Sequence, residues 1–146
     1  MAPSFCFKEM KMKRFLTFLL CFLLLFSLAA CKSESDYTLA KQEKVGMTVK
    51  ADTLTSTDVT LLIENKTTEP GNYGYPFLLE KEQNGKWFLI NEKQAFILPA
   101  IMLEPNSTSE HKAVFEAPLS KGKYRLIKNF YFDSGTVTAH LEFEIK

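Results

Sequence analysis

Thr136-Val137-Thr138-Ala139-His140-Leu141-Glu142-Phe143-Glu144-Ile145-Lys146 alternates without a break. Val137, Ala139, Leu141, Phe143 and Ile145 share one face, and Thr138, His140, Glu142 and Glu144 share the other. A period of two marks a half-buried β-strand, because successive side chains point to opposite sides of a pleated backbone. Wound as a helix, the same residues would scatter their apolar groups around the axis. The stretch therefore demands a sheet with one face turned toward a core.

Working back from it, strand signals recur at short intervals. Ser134-Gly135 is a turn, and the segment before it, 123–133, carries Tyr124, Leu126, Ile127, Phe130, Tyr131 and Phe132. Pro118 to Gly122 reads as a corner. In 109–117, His111, Ala113 and Phe115 alternate with Lys112, Val114 and Glu116. Segment 95–103 is apolar but interrupted by Pro99, which suits an irregular or edge strand. Gln83-Asn84-Gly85 predicts a tight hairpin, since Asn-Gly supplies the two positive-φ positions of a type I′ turn. It joins segment 73–81, with Tyr75, Phe77 and Leu79, to segment 86–91, with Trp87, Phe88, Leu89 and Ile90. Val59, Leu61 and Ile63, then Val45, Met47, Val49 and Ala51, give two more alternating runs. Short strands punctuated by turns predict an all-β sandwich.

Leu119-Ser120-Lys121-Gly122-Lys123-Tyr124 resembles the tyrosine corner of immunoglobulin-like sandwiches. The resemblance implies that Gly122 takes the turn geometry and that the Tyr124 hydroxyl bonds a backbone group a few residues upstream. Leu126 stands where an antibody domain has its second cysteine, so apolar packing replaces the disulfide. Trp87 is expected in the core. Further segments are similar to bacterial Ig-like domains of Gram-positive lipoproteins: Val59-Thr60-Leu61-Leu62-Ile63-Glu64-Asn65-Lys66, Tyr73-Gly74-Tyr75, Phe77-Leu78-Leu79-Glu80-Lys81, Gly85-Lys86-Trp87-Phe88 and Gly122-Lys123-Tyr124-Arg125-Leu126-Ile127-Lys128. That likeness covers most of 45–146. It implies an immunoglobulin-like β-sandwich of about seven strands, a surface location, and no catalytic residues to carry over.

The front of the chain is of another kind. Lys11, Lys13 and Arg14 precede an apolar run, 15–26, broken only by Thr17. Ser27-Leu28-Ala29-Ala30 then lead into Cys31. This is the layout of a secretory signal peptide, an N-terminal signal helix. The run is short of the roughly 20 apolar residues that comfortably span a bilayer, which disfavours a retained anchor. Leu28-Ala29-Ala30-Cys31 resembles the lipobox of the type II lipoprotein signal family. That resemblance implies cleavage between Ala30 and Cys31 and a thioether-linked diacylglycerol, with palmitate-type chains, on Cys31. The organisation expected is a signal peptide over 1–30, a lipidated polar tether over 31–44, and a β-sandwich domain over 45–146. Met10 or Met12 fits the signal layout better as a start than Met1, because Glu9 and Ser4 precede the basic cluster.

The leader removes Lys8, Lys11, Lys13 and Arg14 from the 18 Lys and Arg, and Glu9 from the 17 Asp and Glu, leaving a net charge close to −2. Interspersed charges of that balance offer no nucleic-acid footprint and no polybasic membrane patch. All three cysteines, Cys6, Cys21 and Cys31, lie in or at the end of the leader. The domain thus has no thiol for a disulfide, a nucleophile or a zinc ribbon. His111 and His140 are the only histidines, too few for a metal site, and His140 reads as plain surface. Ser107, Ser109, His111 and Asp133 form no recognised hydrolase context. No phosphate loop is present. Asn65-Lys66-Thr67 and Asn106-Ser107-Thr108 match the glycosylation sequon and carry no weight for a bacterial lipoprotein.

The reading is a non-enzymatic, lipid-anchored protein on the extracytoplasmic face of the cell membrane, with no cofactor. Its partners are the bilayer, through Cys31, and an envelope protein. Phe130 and Phe132 should face the core while Tyr131 faces out, and Tyr73, Phe88 and Tyr131 are the candidate partner patch. Two alternatives stay open. One is an inhibitor or immunity-type lipoprotein acting through loops 65–72 and 99–107. The other is a small-ligand carrier, which needs a concave apolar pocket.

Overall fold

The computed structural model describes Glu34, Ser35, Tyr37, Thr38 and residues 42–91 and 100–146. The leader, the Ala30–Cys31 junction and the residue expected to carry lipid lie outside the described residues, as does most of the apolar stretch around Pro99.

The described chain is all β. Its strands are β1 (Val45–Val49), β2 (Asp58–Asn65), β3 (Gly71–Tyr73), β4 (Leu78–Gln83), β5 (Lys86–Leu89), β6 (Ile101–Leu103), β7 (Thr108–Val114), β8 (Gly122–Phe132) and β9 (Gly135–Ile145). They form two sheets, one ordered β1-β2-β7 and the other β5-β4-β8-β3-β6 with β9 along the free side of β8. All pairings are antiparallel. The two sheets pack as a sandwich around Val59, Leu61 and Ile63 from one side and Tyr124, Leu126 and Phe130 from the other, all buried.

The described residues form nine strands, one more than the eight segments marked by the sequence, because one of those segments is broken. Segment 73–81, continuous by its pattern, is the end of β3 and the start of β4 separated by residues 74–77. Pro76 lacks the N–H that a ladder needs, and it biases the residue before it. β8 consequently meets β4 over Tyr124 to Ile127 and β3 at Tyr131 and Phe132, while residues 128–130 face the break. On its other side β8 pairs with β9 throughout, from Gly122 opposite Ile145 to Phe132 opposite Gly135. Asn84 and Gly85, at φ 54° and 76°, form the expected hairpin turn between β4 and β5. Where the sequence anticipated an edge strand near Pro99, the described part is the three-residue β6, pairing with β3 at the sheet margin.

Trp87 departs from expectation. It stands opposite Glu82 in the β4–β5 ladder, which places it on the outer face of the larger sheet, half-buried rather than in the core.

Candidate functional site

The corner before β8 is built around Gly122 and Tyr124. Gly122 sits at φ 143°, where an added Cβ would press on the Lys81 side chain at 3.1 Å. Tyr124 donates its hydroxyl to the Ser120 carbonyl at 2.6 Å. Lys81 lies over the Tyr124 ring and donates to Ser120 Oγ at 2.6 Å. Leu119 packs against the core from the corner. The geometry pins the entry of β8 and does no chemistry.

The break in the sheet holds a second cluster, on the inner face. Alternation along β8 directs residue 128 inward, and the residue there is a lysine, 2% exposed. Its ammonium donates to the carbonyls of Gly74, Tyr75 and Pro76, the last two at 3.3 and 3.1 Å. The interrupted strand thus gains from one side chain the donors that a paired strand would have supplied. Lys128 also lies over the Tyr73 ring, 5.1 Å from its centroid. Burial lowers its pKa to about 8, so the ammonium form still dominates at neutral pH. Across the sandwich, His111 of β7 packs edge-on to Tyr73 at 5.5 Å and against Tyr75 at 5.2 Å. Burial first, and the Lys128 charge second, push the His111 pKa down to about 4. Its Nε2 is buried without a hydrogen-bond partner. Tyr73 bonds Ser109 through its hydroxyl at 3.0 Å, and burial raises its pKa above the ordinary phenol value. Ser109 Oγ is therefore held by a tyrosine and not by His111, so the serine–histidine combination noted in the sequence is not assembled.

The outer face of the same sheet holds a third cluster. Arg125 and Glu80 stand opposite each other in β8 and β4 and are both buried. Arg125 Nε and Nη2 reach the same Glu80 oxygen at 2.6 and 2.5 Å. A buried ion pair on an outer face needs cover, and two aromatic rings provide it. Trp87 lies 4.6 Å from the guanidinium and Tyr37 lies 5.7 Å from it. Tyr37 belongs to the segment expected as a polar tether. The described residues of that segment contact the sheet at further points. Glu34 bridges to Phe88 of β5 and pairs with Lys86 at 3.0 Å. Ser35 N–H donates to the Trp87 carbonyl at 2.9 Å. Gln42 Nε2 donates to the His140 carbonyl at 2.7 Å and lies 3.2 Å from its Nδ1. His140, expected as plain surface, is accordingly half-buried, and its pKa is lowered by burial and by the Arg125 charge.

The expected aromatic patch does not assemble. Tyr73 is fully buried on the inner face, because β3 turns it toward His111 and Phe130. Phe88 is half-buried on β5, beside Glu34 at the sheet edge. Tyr131 is 48% exposed, with Phe130 and Phe132 buried to either side of it. Its actual neighbours follow from register. Tyr131 pairs with Asn72, and Asn72 pairs with Met102, which sets two exposed apolar side chains on one outer face. Asn65 is 1% exposed and gives its amide to the carbonyls of Glu69, Leu103 and Glu104, so this sequon residue is a loop organiser. Among the described residues no cluster of three or more His, Cys, Asp or Glu could hold a metal. Sequence reasoning missed Lys128 and Arg125. The signal was a cation on each side of Leu126-Ile127, Arg125 at an odd position and Lys128 at an even one, in a strand whose apolar residues occupy both faces.

A family model described as a bacterial Ig-like domain matches residues 41–144. No curated protein matches the chain. Among solved structures, the archaellum periplasmic stator protein FlaG from Sulfolobus acidocaldarius is similar at 16% identity with a TM-score of 0.42, over 68% of this chain and 99% of its own.

Proposed function

The chain belongs to the bacterial Ig-like domain family, and from that premise we propose that it is a lipid-anchored extracytoplasmic protein whose Ig-like domain serves as a non-catalytic binding or accessory module. One observation carries the anchor: Leu28-Ala29-Ala30-Cys31 closes a basic-then-apolar leader, and no other cysteine follows. Supporting the binding role, the described interior is filled by side chains such as Tyr73, Tyr124 and Phe130. A module of this kind works through faces and loops. Met102 and Tyr131, 60% and 48% exposed on one outer face, supply the apolar contacts that protein partners use.

The test is Cys31→Ala in the native host, with labelled palmitate and membrane fractionation as readouts. The native chain should take up label and sediment with the membrane. The variant should take up none and leave the mature membrane fraction, with its domain still folded. A variant that stays labelled would refute the anchor. In the same membranes, a cross-link from the native chain to one saturable protein, lost on Tyr131→Lys, is the outcome expected of a binding module. Its persistence in that variant would move the binding surface elsewhere.

A further inference from the structure

The polar segment after Cys31 ought to be a spacer by composition. Its described residues are instead attached to the larger sheet at three separated points. At the β5 edge, Glu34 and Ser35 make a short antiparallel pairing with Phe88 and Trp87, reinforced by the Glu34–Lys86 ion pair. In the middle, the Tyr37 ring lies over the Arg125 guanidinium. At the far side, the Gln42 side chain bonds the outward carbonyl of His140 on β9. These contacts start with an edge pairing at β5, pass over β8 at Tyr37 and end at β9 with Gln42, so the described residues lie across the sheet. The receiving surface is matched to it in chemistry: a lysine for Glu34, a guanidinium for Tyr37, and a free edge carbonyl for the Gln42 amide.

We propose that Glu34, Ser35, Tyr37 and Gln42 belong to a docked strap, that the surface formed by Lys86, Trp87, Phe88, Arg125 and His140 is its docking site, and that docking holds the domain close to the bilayer. The last clause rests on the lipid anchor at Cys31. From Cys31 to Ser35 is four residues of chain, at most about 14 Å of reach. From Cys31 to Val45, the start of β1, the same chain released from the sheet reaches about 50 Å. The strap therefore sets the standoff. Docked, it keeps the β5 edge beside the membrane surface; released, it frees the domain to sample several times that distance. The site selects an extended segment with an acidic residue three positions before an aromatic one, here the chain's own.

Trp87 is the only tryptophan in the chain and sits in the docking site, so it reports both halves of the proposal. The lipidated full chain is placed in phosphatidylcholine vesicles carrying a dansyl-headgroup lipid, and energy transfer from Trp87 is compared with that of a Glu34→Lys, Tyr37→Ala variant. Amide exchange at Ser35 is measured on both, with Leu126 in β8 as the control for folding. The expected result is at least twofold stronger transfer in the native chain. Ser35 exchange should be slowed at least tenfold there and should return to the free-chain rate in the variant, with Leu126 unchanged. Equal transfer in the two proteins overturns the standoff. Free-chain exchange at Ser35 in the native protein overturns docking. Failure of the anchor reading is recognised separately, by the absence of diacylglycerol mass on Cys31. It removes the standoff, while slow Ser35 exchange in that same chain still upholds the docked strap.

Discussion

Lys128 occupies a position at which the alternation of β8 calls for an apolar side chain, between buried Leu126 and Phe130. Its place is explained by what the broken strand leaves behind. Carbonyls 74–76 need a donor, and a long flexible cation supplies three N–H groups from one point. Lys128→Met keeps the length and apolar stem but removes every donor. It also removes the cost of burying an ammonium, so the net loss of stability is expected at roughly 1–3 kcal/mol. A urea unfolding midpoint shifted downward would agree with this. A midpoint unchanged or raised would mean that the carbonyls are satisfied without Lys128.

At the scale of elements, β8 organises the larger sheet because both of its faces are buried at once from Tyr124 to Lys128. Tyr124, Leu126 and Lys128 point inward, while Arg125 and Ile127 are buried on the outer side. A strand covered on one face only would alternate cleanly, as β7 does with exposed Lys112 and buried His111 and Ala113. The outer cover is assembled from β4, β5 and the strap, and Glu80 is its electrostatic centre. Glu80→Gln preserves shape but leaves the Arg125 charge buried without its counter-ion, which costs about 3–5 kcal/mol. Changing both residues together, as Glu80→Gln with Arg125→Met, should cost less than the single change. Chemical denaturation of the three proteins decides this. A double variant weaker than the single one by the full sum would show that the two residues act independently.

For the whole molecule, stability rests on packing without cross-links, since no cysteine follows Cys31. Its pH dependence should carry the mark of His111. The folded-state pKa, about 4, lies below the ordinary value of 6.5. Between those two values the unfolded chain binds a proton that the folded chain does not. Stability contributed by the neutral ring is therefore complete above pH 6.5 and is lost as pH falls through 4, by up to about 3 kcal/mol. The midpoint of unfolding should drop on acidification across this window, and His111→Leu should flatten that part of the curve. An identical slope in the variant would assign the acid sensitivity to the carboxylates.

Periodicity is a local property, so the sequence alone located the strands apart from the break between β3 and β4. Val137 to Ile145 alternate as β9, Asn84-Gly85 turn the hairpin, and Gly122 with Tyr124 marks the corner, all because backbone geometry and side-chain direction are set within a few residues. The leader and Cys31 are read from linear order alone, and the anchor they imply is the proposal that Cys31→Ala tests. Which face each strand turns inward, and what covers the other, was decided only in three dimensions. Tyr73 and Trp87 exchanged their expected places because the register of β3 and β5 against their neighbours sets their direction. The segment ahead of β1 reads as a spacer by composition and is docked because Arg125, Lys86 and His140, far away in sequence, converge where it passes. Such long-range pairing is a property of the assembled sheet, and no window of the sequence contains it.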